Sequence, residues 1–244
     1  MLYNPRMVTT PSTSTLTARL AEAKGRGAAY LRGQQRDDGA LGDPERHGLG
    51  PYYKGLWAFA ASGDAQAGAR LATWIRDNVQ TAEGDFAGPL RGTLQDNNYA
   101  YPAGWMIAGA YKMGRFDIAT RGLRFLQTLQ HPETGGFRMQ RDKIDAVQDL
   151  LNAGQCGNAL LLGGDIAGAQ RVAGFLRMMY DAQPRPAEEM FLVYKPGVGL
   201  RTEFPPERQR LHLEGSLPGC CRAGSQRRLR SGSPQTQPHS APEP

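Results

Sequence analysis

Disulfide frameworks, zinc ribbons and membrane spans are the first architectures that this sequence argues against. It holds three cysteines in 244 residues: Cys220 and Cys221 adjoin near the C-terminus, and Cys156 stands alone in the body. No C-x-x-C occurs, so neither a disulfide scaffold nor a zinc ribbon is expected. No run approaches 18 uninterrupted apolar residues, and no charged segment leads into an apolar h-region. A soluble, cytoplasmic protein without a transmembrane segment is therefore expected. Glycine is abundant, yet nothing resembles a P-loop or a dinucleotide fingerprint, and no cofactor or metal is expected. Charge of one sign is scarce as well. Half of the formal +6 lies beyond Pro205, and the body has no basic stripe interleaved with aromatics. A nucleic-acid partner is not expected; a small-molecule substrate is. Nothing in the sequence fixes an oligomeric state.

What the chain does have is an internal repeat. An aromatic-aliphatic pair recurs at Tyr30-Leu31, Trp74-Ile75, Phe125-Leu126 and Phe175-Leu176, at steps of 44, 51 and 50 residues. Gly63, Gly114 and Gly164 keep the same phase, at steps of 51 and 50. A shared period near 50 residues marks one supersecondary unit stacked several times.

Two helix types alternate within it. Asp64–Asn78, Arg115–Gln130 and Asp165–Asp181 each carry one apolar stripe and one polar face, the pattern of a helix half in water. Gly50–Ala61, Tyr99–Met113 and Leu150–Gly163 are poor in charge on every side, which requires burial all round. Glycines at 63, 114 and 163–164 predict tight turns from the second type into the first. The return links, 37–49, 79–98 and 131–143, are long, and loops gathered on one end of a rigid scaffold commonly carry sites. The expected fold is all-α: a partial α/α toroid of about three helical hairpins, charge-poor helices inside and amphipathic ones outside. A leading outer helix would run from Thr15 or Thr17 to about Gln35. Residues 190–204 read as a short β-hairpin about Lys195-Pro196-Gly197-Val198-Gly199. Residues 1–14 read as a disordered lead-in, 15–204 as the toroid domain and 205–244 as a disordered, low-complexity tail. A closed ring of this kind needs five to seven hairpins. An incomplete ring is therefore expected, cut short or frame-shifted near Ser216, with apolar area exposed on its inner helices; the alternative is a natural short paralogue with a flexible tail.

The repeats resemble those of the terpenoid-cyclase and protein-prenyltransferase superfamily, in which an aromatic-leucine pair precedes a glutamine, a polar turn, a glycine and an aromatic. Tyr30-Leu31 leads to Gln35, Asp38 and Gly39; Phe125-Leu126 leads to Gln130 and Gly136-Phe137. Trp74-Ile75 leads to Gly84 and Phe86 and reads as lacking the glutamine. The resemblance spans residues 17–183 and implies the toroid. It carries over no activity. The Asp-x-Asp-Asp acid motif of the cyclases is absent, with Asp96-Asn97-Asn98 the nearest equivalent. The Asp/Cys/His zinc set of the prenyltransferases has no counterpart around Cys156, His47 or His131. Sugar epimerases and unsaturated-glycoside hydrolases share the architecture with other chemistry.

Candidate site residues lie where inner helices begin. Asp96, Asn97, Asn98, Tyr99 and Tyr101 would form a polar mouth, with Asp96 as proton donor or acceptor or simply as a cap. Asp145 and Asp149, four residues apart, would share a helical face with Asn152 and do acid/base work, or offset the helix dipole. His47, Tyr52, Tyr53, Trp57 and Trp105 would line a cavity by stacking, or merely pack the inner ring. Three functions stay open: acid/base chemistry on an isoprenoid-like or other small apolar substrate, as in a cyclase or transferase; sugar epimerisation or hydrolysis; and a truncated, non-catalytic relative.

Overall fold

The computed structural model describes residues 13–86, 98–187 and 190–202. Asp96 and Asn97, the lead-in before residue 13 and the tail from residue 203 lie outside the described residues. The described residues are mostly helical: α1 (Thr13–Gly33), α2 (Pro44–His47), α3 (Gly55–Ser62), α4 (Ala65–Asn78), α5 (Ala100–Lys112), α6 (Phe116–Thr128), α7 (Leu150–Leu162) and α8 (Ile166–Asp181). Among them no helix is long and apolar enough to cross a membrane.

Three hairpins, α3/α4, α5/α6 and α7/α8, follow the leading helix α1. The charge-poor helices pack side by side in the order α3, α5, α7, and each carries its amphipathic partner behind it. The expected alternation of inner and outer helices is present. Gly63, Gly114 and Gly164 turn one layer into the other with φ of 79°, 69° and 79°. Asp64 and Asp165 cap α4 and α8 by accepting from the N–H groups of Ala67 and Gly168, which satisfies donors that a helix start leaves open. α3 starts later than expected, at Gly55, because residues 51–54 form turns.

Glycine sets the spacing of the inner row. A Cβ on Gly109 would stand 2.6 Å from the Leu56 Cβ and 2.7 Å from the Trp57 nitrogen, and one on Gly104 would stand 3.3 Å from the Cys156 nitrogen. The core is continuous through both layers. Phe59, Leu56, Leu71 and Ile75 are fully buried around the first hairpin, Met106, Ile107 and Ile118 around the second, and Phe175 and Phe137 around the third. Each such side chain contributes about 1.5–3 kcal/mol relative to exposure. Apolar side chains also remain exposed at the α7/α8 turn, Leu161 and Ile166 at 56% and 54%.

One repeated device ties the outer layer together. Gln35, Gln80 and Gln130 each follow an outer helix and donate through Nε2 to a loop carbonyl (Gly39, Gly84, Gly135) and to a carbonyl of the next outer helix (Ala67, Ile118, Gly168). Arg121 and Arg171 of those next helices donate back to the Oε1 of Gln80 and Gln130, at 2.9 and 2.6 Å. Gly39, Gly84 and Gly135, all at positive φ, lie against the backbone of Arg70, Arg121 and Arg171. The second repeat therefore does not lack its glutamine. Gln80 fills the position one residue later than expected, because α4 ends with the N–H groups of both Val79 and Gln80 directed to the Ile75 carbonyl.

The hairpin expected at 190–204 is present as β2 (Val193–Lys195) and β3 (Gly199–Leu200). It gains an unforeseen third strand, β1 (Gln148–Asp149), antiparallel to β2 with Gln148 opposite Tyr194 and Asp149 opposite Val193. That strand overturns the common helical face expected for Asp145 and Asp149. Asp149 is extended (φ −141°, ψ 167°) and caps α7, so the helix begins only after both acids.

Candidate functional site

The inner helices present a line of aromatic rings. Tyr53, at the turn before α3, lies 6.1 Å from Tyr101 on α5. Tyr101 lies 6.3 Å from Trp105 one turn on, and Trp105 meets Trp57 of α3 edge-on at 5.6 Å. Matching pairs follow in the same order along both helices, so α3 and α5 run parallel. On α5 the i, i+4 spacing puts Tyr101 and Trp105 on one side of the helix. All four rings are half-buried.

Two lysines lie over them. The Lys54 ammonium stands 5.2, 5.7 and 5.3 Å from the ring centres of Tyr53, Tyr101 and Trp105, and Lys112 stands 4.6 Å from that of Trp57. These are cation–π distances. Burial works against the Lys54 charge, but hydrogen bonding and charge interaction with Tyr53 and Tyr101 outweigh it and raise its pKa above the ordinary lysine value. Among the described residues no carboxylate forms an ion pair with either lysine.

A polar cluster joins the starts of α5 and α7. Asp149 Oδ1 accepts from the Asn152 N–H at 2.6 Å and from Asn152 Nδ2 at 2.9 Å. Asn152 Nδ2 also donates to Asn98 Oδ1 at 3.2 Å. Asn152 is fully buried, yet its Oδ1 has no hydrogen-bond partner; neither do Gln155 Nε2, one turn further along α7, and Trp105 Nε1. Buried polar atoms without partners are costly, of order 1–3 kcal/mol each, and call for an explanation.

The structure thus sorts the sequence candidates. It brings Tyr53, Trp57, Tyr101 and Trp105 together, and separately Asn98, Asp149 and Asn152. Tyr52 turns away into the core, fully buried against Trp74 at 5.0 Å. Tyr99 is buried and donates to Asp85. His47 ends α2 and is exposed. Asp145 sits on an exposed loop with His131 Nε2 3.9 Å away. Cys156 is buried with its Sγ 3.5 Å from the Ala100 carbonyl, and burial first, then the charge of Asp149, pushes its thiol well up. Among the described residues no three His, Cys, Asp or Glu side chains converge as a metal site.

Sequence reasoning missed Lys54, Lys112, Gln155 and Asp85. A repeat alignment held the signal for two of them. Gln155 stands nine residues before Gly164, as Trp105 stands nine before Gly114, and Asp85, buried beside Arg141 at 3.3 Å, replaces the Ala40 and Gly136 of the other repeat turns. The lysines gave no signal, because one charge in an apolar helix reads as a solvated edge. No family model, curated protein or solved structure matches this chain.

Proposed function

We propose that the inner face binds a carbohydrate or a similarly polyhydroxylated small molecule, and that the chain is a sugar-processing protein built on an α/α-hairpin array. One observation carries this reading: a line of four half-buried rings accompanied by buried, unpartnered polar atoms on Trp105, Gln155 and Asn152. Rings offer flat faces to the C–H side of a sugar, and the unpaired donors and acceptor suit its hydroxyls. An isoprenoid would satisfy the rings and leave the polar atoms unpaired. A carbocation formed on it would also meet Lys54 and Lys112, whose positive charges already occupy the ring faces.

Proton transfer on the bound sugar is assigned to Asp149, because it is hydrogen-bonded to Asn152, whose Oδ1 is one of the unpartnered atoms. Asp149→Asn keeps a competent helix cap and should leave binding intact while abolishing turnover.

Titration of tryptophan fluorescence with neutral and acidic oligosaccharides tests the binding. A saturable change that disappears in Trp105→Ala is expected, since Trp57 and Trp105 report from the face while Trp74 is buried. Saturable binding of a prenyl alcohol, with no response to any oligosaccharide, would reject the sugar reading in favour of the isoprenoid one.

A further inference from the structure

Two ammonium groups stand on an aromatic face, and among the described residues no carboxylate pairs with either. Several other described cations pair with carboxylates: Arg32 with Asp64, Arg36 with Glu45, Arg115 with Asp117, Arg141 with Asp85 and Arg177 with Asp181. Lys54 and Lys112 pair with rings instead, and one of those rings is Trp105, whose Nε1 is buried and unpartnered. The raised Lys54 pKa keeps that ammonium charged throughout the physiological range. A neutral sugar stacked on Tyr101 and Trp105 would bring no counterion for either charge. A carboxylate on the sugar would supply one.

We infer that the ligand of this face is an acidic carbohydrate, its carboxylate held by Lys54 and Lys112 while Tyr53, Trp57, Tyr101 and Trp105 stack on its apolar side. This rests on the carbohydrate reading above and narrows it. Lys54 is suited to the task because its long stem lets the ammonium leave the rings as the ligand arrives, exchanging a cation–π contact for an ion pair. Lys112, one ring away over Trp57, extends the positive zone along the face.

The test pairs two probes of equal length, a tetrameric oligouronate and a neutral tetrasaccharide, titrated into the whole chain with tryptophan fluorescence as readout. The oligouronate should bind about tenfold more tightly at low salt, from two ion contacts of modest individual strength, and the preference should shrink as salt is raised. Lys54→Gln should remove most of the preference, and Lys54→Gln/Lys112→Gln should abolish it. Circular dichroism confirms that both variants are folded, which is expected for exposed side chains. Equal affinity for the two probes, or a preference that survives in the double variant, overturns the acidic-ligand inference alone. Binding of neither probe overturns the carbohydrate reading and this inference together.

Discussion

Gly63 and Gly135 share a backbone conformation and differ in their surroundings. Their φ angles are 79° and 78°. A Cβ on Gly63 would meet nothing within 4 Å, whereas one on Gly135 would stand 2.3 Å from the Arg171 carbonyl oxygen. Gly63→Ala should therefore cost only the left-handed penalty, about 1–2 kcal/mol. Gly135→Ala adds a backbone clash and should cost roughly 3 kcal/mol or more. Urea denaturation of the two variants gives the comparison, and equal losses would refute it. Cys156 provides a residue-scale test in pH. Burial raises its thiol in the folded chain, while an unfolded thiol ionises near about 8.5. The contribution of a raised group is fully present below the unfolded pKa and is lost as pH rises above it. Stability should fall above about pH 8.5 by up to roughly 1.4 kcal/mol per pH unit from this group, and Cys156→Ala should lack that part of the slope. Urea midpoints at pH 7, 9 and 10 for both proteins decide it; parallel curves would remove the buried thiol from the account.

At the scale of elements, the glutamine that ends each outer helix is a clasp rather than a surface residue. Gln130 is 7% exposed, donates to two carbonyls and accepts from Arg171. Gln35 makes two comparable donations at a half-buried site and has no arginine on its oxygen. Gln130→Ala should thus destabilise by about 2–3 kcal/mol and Gln35→Ala by roughly 1–2 kcal/mol, since buried groups left without partners cost most. Reversal of that order in denaturant midpoints would show that burial does not govern the clasp. The caps follow similar reasoning. Asp165 accepts from the Gly168 N–H and from Gln127, and the Gln127 hydrogen bond leads the causes that lower its pKa. A lowered carboxylate contributes stability above its unfolded pKa and loses it as pH falls through the folded one. Asp165→Ala should cost about 1 kcal/mol at pH 7 and progressively less below about pH 4, measured by denaturation at both pH values. The clasp was half legible in the sequence. Gln35 and Gln130 stood at the expected distance from the aromatic-aliphatic pair, but Gln80 was displaced by one residue, and only its hydrogen bonds to Gly84 and Ile118 identify it. β1 was not legible at all, because two residues have no period, and Gln148–Asp149 pairs with a strand 44 residues away.

For the described residues as a whole, α5 occupies the centre. It packs against α3, α6 and α7, and nine of its thirteen residues are buried. α1 touches little beyond α3, and most of its length is exposed. Amide exchange in α5 should occur only through global unfolding. Residues 14–27 of α1 should exchange orders of magnitude faster by local opening, because few apolar contacts resist it. Uniform protection across the two helices would contradict this. The sequence alone determined the number and order of the hairpins, the turn glycines and which helices lie inside, because each follows from short-range periodicity and from charge that will not enter an apolar layer. Tertiary structure alone decided which aromatics reach a surface. Tyr52 and Tyr53 are adjacent and chemically alike, yet one is sealed against Trp74 and the other joins Tyr101 and Lys54. That choice rests on the direction each side chain leaves a turn and on what a helix 48 residues away places opposite it, and neither is written in local pattern.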